Sequence, residues 1–273
     1  MEKVQKSARS YLFVPANRAE RFEKAFSTQA DAIIVDLEDA VPVNLKVSAR
    51  ESLKNWLMEH PQKNVMIRIN SKTSEWFADD IQLANFKNVQ AIVLPKTESA
   101  ADIAAATAIR EINIFALIET PLGFANIRQI AQAKSVQALM FGSIDFQLEM
   151  NMQGGYEELL SFRNEFVLAS KLAGIESPVD GVTVDFKDEN LVKRETLQAK
   201  NLGFAGKLCI HPKQVNIVNT AFTPTDAEME WAQRVLEAVH QAQGQAISLD
   251  GKMIDLPVIL RAQKILKQAS LNA

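Results

Sequence analysis

Eight short apolar runs in this 273-residue chain each end in a group able to do polar chemistry. In order, the ends carry Asn17 and Arg18; Asp36, Glu38 and Asp39; Arg68 and Asn70; Lys96; Glu119; Asp145; Asp180; and His211. One such end is only the place where a buried segment meets solvent, whereas a full set points to a site assembled from many loops. Glu119 and Asp145 end consecutive runs and should be neighbours. Two carboxylates suit Mg²⁺, which takes one or two of them, keeps several waters and leaves room for substrate oxygens. Arg68 adds a planar fork that can hold an organic carboxylate in two-point contact. The competing reading is an internal Arg–carboxylate network that holds the fold together, because isolated buried ions are too costly to leave unpaired. Zinc fits less well: the histidines are His60, His211 and His240, with no H-x-x-x-H spacing and no cysteine pair.

Strands and helices must place these groups. The runs are "YLFVP", "AIIVDL", "VMIRIN", "QAIVLP", "NIFALIE", "VQALMFG", "SPVDGVTV" and "GKLCIHP", and amphipathic stretches separate them. "VSARESLKNWLMEH" puts Leu53, Trp56 and Leu57 on one helical face, and two further helices stop at Gly174 and Gly203, residues suited to a C-cap. Asn-Gly hairpin signals are absent, as expected for parallel strands joined by helical crossovers. Eight βα units in roughly 250 residues predict an α/β fold, a (β/α)8 TIM barrel, whose catalytic groups lie at the C-terminal strand ends. A doubly wound sheet is the alternative, but neither G-x-G-x-x-G nor a P-loop is present.

Strand alternation directs the side chains. In "VMIRIN", Val65, Ile67 and Ile69 share one face, and Met66, Arg68 and Asn70 share the other, so Arg68 is expected inside the barrel. The same rule pairs Asp36 with Glu38, Leu117 with Glu119, and Ser143 with Asp145.

A net charge of −3 with interleaved signs shows no basic stripe for nucleic acid. The N-terminus lacks the apolar core of a signal peptide, and no run approaches the roughly 18 apolar residues of a membrane span. The single Cys209 fits a reducing compartment, so a cytoplasmic location is expected. Cys209 and His211 are two apart, but Cys209 sits between Leu208 and Ile210 and reads as a small hydrophobe rather than a nucleophile.

The segments "RSYLFVPANRAERFEKA", "ADAIIVDLEDAV", "VMIRIN", "IVLPKTES", "ALIETPLGFAN", "FGSIDF" and "GFAGKLCIHPKQVNIVNTAFTP" resemble the citrate lyase beta-subunit family, within the HpcH/HpaI aldolase and malyl-CoA lyase group. The resemblance implies a Mg²⁺-dependent TIM barrel that cleaves or forms carbon–carbon bonds in thioesters such as citryl-, malyl- or citramalyl-CoA. It implies that Glu119 and Asp145 hold the metal, that Arg68 grips the 2-oxo acid, and that Glu38 and Asp39 order waters around the metal. Arg18 becomes a coenzyme A contact, and Lys96 or Arg18 steadies developing enolate charge. Ala16, where many members have Gly, departs from the pattern. Two alternatives stay open: a 2-keto-acid aldolase that uses no thioester, and a subunit of a citrate lyase complex acting on an acyl-carrier-protein thioester. An inactive relative should have lost the carboxylates or Arg68, which are all present.

The organisation expected is a catalytic barrel over residues 1–222 and a helical extension over 223–273. The extension exceeds what a barrel needs, and its apolar face predicts packing on another subunit. The resemblance adds that members are oligomers, often trimers, whose C-terminal segment closes over a neighbour's site and supplies an Asp. By that match Asp255, in "GKMIDLP", is an acid/base group acting in trans. The plainer reading is an acid favoured at the start of a helix whose first turn holds Pro257.

Overall fold

All eight apolar runs form strands, and the strands close into one parallel barrel in chain order. The computed structural model describes residues 8–241 and 247–272. The strands are β1 (Ser10–Pro15), β2 (Ala32–Asp36), β3 (Val65–Arg68), β4 (Val89–Leu94), β5 (Asn113–Ile118), β6 (Val136–Phe141), β7 (Val179–Asp180) and β8 (Gly206–Cys209). Closure comes from β8 pairing with β1, with Ser10 opposite Lys207 and Leu12 opposite Cys209. Around them run α1 (Phe22–Phe26), α2 (Lys46–Glu59), α3 (Phe77–Asp80), α4 (Ala100–Ala106), α5 (Pro121–Ala125), α6 (Ile127–Ala131), α7 (Ser143–Glu149), α8 (Leu160–Ala173), α9 (Glu189–Leu202) and α10 (Pro212–Phe222).

Alternation explains the two layers of the core. Tyr11, Ile34, Met66, Val93, Phe115, Leu117, Met140, Val179 and Leu208 form one buried cluster inside the barrel. Their strand neighbours Leu12, Ile33, Ile67 and Ile92 are equally buried and face the helices. Helix α2 buries Leu53, Trp56 and Leu57 as its periodicity predicts. The Trp56 ring stacks on Phe26 at 5.7 Å and meets Phe22 edge-on at 5.2 Å, which accounts for two Phe spaced four apart. Helices α8 and α9 end at Gly174 and Gly203, with φ of 71° and 109° respectively.

Strand β7 is shorter than the run "SPVDGVTV" suggests, and it changes the place of one expected mouth residue. Val179 faces the interior, so Asp180 faces outward, buried beneath α8. There Arg163 Nε and Lys207 Nζ donate to its two oxygens at 2.8 and 3.0 Å. Burial works to raise the Asp180 pKa, but the two cations outweigh it and hold the carboxyl below its ordinary range. Asp180 is a structural ion, not a mouth group.

The chain divides into two compact units, one through Asn219 and one from Thr220 onward. In the second, α11 (Asp226–Gln241), the hairpin of β9 (Ile247–Leu249) and β10 (Lys252–Ile254), and α12 (Leu256–Asn272) share a core that includes Ala232, Val235, Ile254, Ala262 and Ile265. Helix α11 opens with a capping box: Thr225 N donates to Glu228 Oε2 at 2.8 Å, and Glu228 N donates to Thr225 Oγ1 at 3.2 Å. Among the described residues, no helix is long and apolar enough to cross a membrane.

Candidate active site

The C-terminal strand ends enclose a cavity of about 380 Å³. Asp36, Asp39, Arg68, Glu119 and Asp145 line it, against apolar walls that include Phe13, Leu117, Phe141, Val182 and Leu208. Alternation along β3 brings Arg68 inward as expected. Its Nε and Nη2 donate to Asp36 Oδ1 and Oδ2 at 2.7 and 2.6 Å, and its guanidinium lies 4.7 Å from the Phe13 ring centroid. One edge of the fork is thus taken by the protein's own carboxylate. The remaining Nη1 lies 3.2 Å from Glu38 Oε2 and 3.5 Å from Asp39 Oδ2. Burial opposes the charged guanidinium, but Asp36, Glu38 and Asp39 outweigh it and keep Arg68 firmly protonated. Arg68 is therefore a member of an internal network and also lines the cavity.

Glu119 leaves β5 beside Leu117 and is buried. Its Oε1 accepts a 2.8 Å bond from the Lys96 backbone N–H. Lys96 adopts a left-handed φ of 48°, a strained conformation for a residue with a side chain, and this aims its N–H at Glu119. The Lys96 ammonium, about half exposed, lies 3.5 Å from Glu38 Oε1. Burial pushes the Glu119 carboxyl up to about 8, with Glu38 adding to the shift and Arg68 opposing it. Burial likewise pushes Glu38 up to about 7 against the pull of Arg68. Glu38 Oε2 is buried and accepts no hydrogen bond despite its closeness to Arg68.

Asp145 corrects an expectation. Ser143 and Asp145 do not share a strand face; both lie in the first turn of α7, because the chain turns into a helix after Gly142. Both still line the cavity. The glycine is demanded by Glu119, since a Cβ at position 142 would stand 2.4 Å from Glu119 Cβ. Asn70 also departs from its expected place: it is buried outside the cavity, bonded to Lys46 and Asp80.

A second hollow of about 630 Å³ shares Phe13, Pro15 and Ile210 with the first and carries Arg21, Lys24, His211 and Lys213. Arg18 lines neither; it is half exposed and pairs with Glu20 at 3.3 Å. The basic residues at 21, 24 and 213 leave no local signal in the sequence because they come from opposite ends of the barrel chain. Cys209 is fully buried, and burial pushes its thiol up to about 12, so it is no nucleophile. His211 stacks on Phe186 at 4.3 Å, and its Nδ1 accepts from Lys213 N. Asp255 precedes α12, and its Oδ1 accepts from Val258 N at 3.2 Å, a helix-capping contact.

The donor set fits Mg²⁺. Among the described residues no three His, Cys, Asp or Glu side chains form a ready metal cage. Mg²⁺ does not ask for one, since it binds through one or two carboxylates and fills its remaining positions with water and substrate. Glu119 and Asp145 are hard oxygen donors on one cavity. Burial raises the Glu119 carboxyl, with Glu38 adding to the shift, and Glu38 Oε2 is buried without a hydrogen bond, so a divalent cation suits this donor set.

Residues 9–212 match the family described as HpcH/HpaI aldolase/citrate lyase, and residues 158–272 match one described as a C–C bond lyase of the TIM-barrel fold. A (3S)-malyl-CoA thioesterase of Cereibacter sphaeroides is 34% identical, over 96% of this chain and 94% of its own. A citrate lyase subunit beta of Haemophilus influenzae is 35% identical, over 97% of both. The structure of CitE from Mycobacterium tuberculosis with magnesium, acetoacetate and coenzyme A superposes with a TM-score of 0.86 at 30% identity, covering 97% of this chain and 100% of that one. The barrel, its cavity of acids around one arginine and these matches agree: this chain belongs to the HpcH/HpaI aldolase/citrate lyase family, a family of carbon–carbon lyases.

Proposed function

We propose that this protein cleaves or forms the carbon–carbon bond of a 3-hydroxyacyl-CoA thioester of the malyl, citramalyl or citryl type, with a 2-oxo acid and a short acyl-CoA on the other side of the reaction. The observation that carries the reading is one cavity in which acidic side chains, Asp36 and Glu119 among them buried, face the Arg68 guanidinium, next to a basic hollow that shares Phe13, Pro15 and Ile210 with it. Glu119 and Asp145 would hold Mg²⁺, which when bound supplies Lewis acidity toward the hydroxyl and carboxylate oxygens of the substrate.

Arg68 presents Nη1 to the carboxylate of the 2-oxo acid while Asp36 keeps the guanidinium flat and aimed. Glu38 and Asp39 flank that contact, and Lys96 brings a second positive charge to the developing enolate. Arg21, Lys24 and Lys213 suit the phosphates of a coenzyme A or of a carrier-protein arm. A free aldehyde substrate would leave them without a role, which favours the thioester over the plain aldolase reading. Asp255 is assigned as an acid/base group reaching the site of a neighbouring subunit, in a homotrimer or a multiple of one. The apolar side chains of Met253, Leu256 and Leu260, exposed in the single chain, give this tail a surface to bury.

The test is a panel of malyl-, citramalyl- and citryl-CoA against free hydroxy-keto acids, with Mg²⁺ and with excess chelator. The expected result is Mg²⁺-dependent release of a 2-oxo acid from at least one thioester, lost in folded Glu119→Gln and Asp145→Asn. Turnover of hydroxy-keto acids alone, or full activity in chelator, contradicts the reading.

A further inference from the structure

Lys46 opens α2 a few residues after the acid loop, yet it is only 6% exposed. Its ammonium has three donors, and each is spent at 2.7 Å: on Leu37 O, on Glu38 O and on Asn70 Oδ1. The Trp76 ring covers it, with its centroid 5.4 Å from Nζ. Burying a cation without a bonded carboxylate is expensive, and it is tolerated when every donor is satisfied.

The acceptor set is itself anchored. Asn70 Nδ2 donates to Asp80 Oδ2 at 2.6 Å, and Asn70 N donates to the same oxygen at 3.0 Å. Arg50 then holds Asp80 through Nη1 at 2.9 Å and Asp79 through Nη2 at 2.9 Å. Lys46 can only donate and ionised Asp80 can only accept, so the Asn70 amide has one orientation in this chain of contacts. On the opposite side, Asp36 accepts from Glu38 N at 2.9 Å and from Ala40 N at 3.2 Å. Backbone N–H groups of the loop are therefore tied to Asp36, and two of its carbonyls are tied to Lys46.

We propose that Lys46 is a positioning residue for the acid loop: its ammonium, braced by Asn70, Asp80 and Arg50, fixes the Leu37–Glu38 backbone so that the Glu38 and Asp39 carboxylates meet Arg68 and the metal position. The consequence for the metal rests on the function proposed above; the clamp itself does not. A neutral side chain of the same length keeps the packing against Trp76 but removes the one group that ties the two carbonyls together, leaving Leu37 O to Asn70 Nδ2 at 3.1 Å and Glu38 O to Val41 N at 2.9 Å. An arginine keeps the charge but offers a flat fork where three acceptors surround a point.

Amide hydrogen exchange of the peptide over residues 36–42, without any metal, reads the clamp directly, and calorimetric titration with Mg²⁺ reads its consequence. In Lys46→Met, exchange of that peptide should quicken while a peptide from β5 is unchanged, and Mg²⁺ affinity should fall about 10- to 100-fold, the usual cost of losing an outer support of a metal site. Lys46→Arg, the milder change if Lys46→Met fails to fold, should show the same pattern. Unchanged exchange over 36–42 in a folded variant overturns the proposal, and so does faster exchange with wild-type Mg²⁺ affinity. If the wild-type protein itself takes up no Mg²⁺, the functional reading fails, and the exchange measurement still decides the clamp.

Discussion

The backbone of Gly142 passes directly against the side chain of Glu119: a Cβ at position 142 would stand 2.5 Å from Glu119 Oε2. The end of β6 therefore forms one wall of the groove in which the carboxylate lies. In Gly142→Ala the carboxylate must move, because contacts that short do not occur between real atoms. The expected result is a folded protein with Mg²⁺ affinity reduced by about tenfold or more. Wild-type affinity by calorimetry would show that Glu119 has freedom its burial does not suggest.

Arg68→Lys keeps the charge but loses the fork that Asp36 grips at two points. Affinity for the 2-oxo acid should fall by roughly 100-fold, in line with loss of charge-assisted hydrogen bonds worth roughly 1.5–3 kcal/mol. Thioester binding in the basic hollow should hold within a few-fold. Equal loss of both, with a lowered melting temperature, would mean that Arg68 serves only the internal network.

The two raised carboxyls set a pH dependence. Glu119 at about 8 and Glu38 at about 7 retain protons in the fold that they release near 4.5 in the unfolded chain. The folded state binds more protons across that window, so metal-free stability falls as pH rises from about 4.5 to 8. Mg²⁺ needs the carboxylates ionised, so its binding should tighten over the same range and release protons. Melting temperatures in chelator at pH 5 and pH 8 check this: wild type should lose more on going to pH 8 than Glu119→Gln does. Equal losses would place the proton elsewhere.

Asp255 is tested by mixing. Asp255→Ala and Glu119→Ala homo-oligomers should each be inactive, and co-refolded mixtures should recover part of the activity, since one mixed site would have both residues intact. Continued inactivity despite proven subunit exchange, or full activity of Asp255→Ala alone, would leave Asp255 as the helix cap it visibly is.

Much of this architecture is legible in the sequence because buried parallel strands are short, apolar and regularly spaced. Arg68 and Glu119 follow from alternation, since the opposite faces of β3 and β5 carry residues that belong against helices. Asp145 lines the cavity, but not as a strand-end residue: "GSIDF" has the look of a strand end and is a helical turn. Asp180 is not the mouth residue its run suggests, because the run yields only two strand residues and Val179 takes the inward position. Lys46, Asn70 and Asp80 could not be joined by any local pattern, because their bonds span up to 24 positions and depend on how α2 and α3 come back to the loop. The basic hollow has no local signature for the same reason.

Strand β7 gives the barrel a seam. It meets β6 through one residue pair, Met140 with Val179, and β8 through two, so backbone bonding is thinnest there. The joint is made good by charge, with Asp180 riveted to Lys207 and Arg163, all three buried. Acid should therefore unzip the ring from this side. The Asp180 carboxyl lies below its ordinary range, so its stabilisation is full above about pH 4 and drains away as pH falls further, leaving the buried Arg163 and Lys207 without their shared carboxylate. Hydrogen exchange at stepwise lower pH should show β7 and β8 losing protection before β3 to β5; simultaneous loss would mean that the ring opens as a whole.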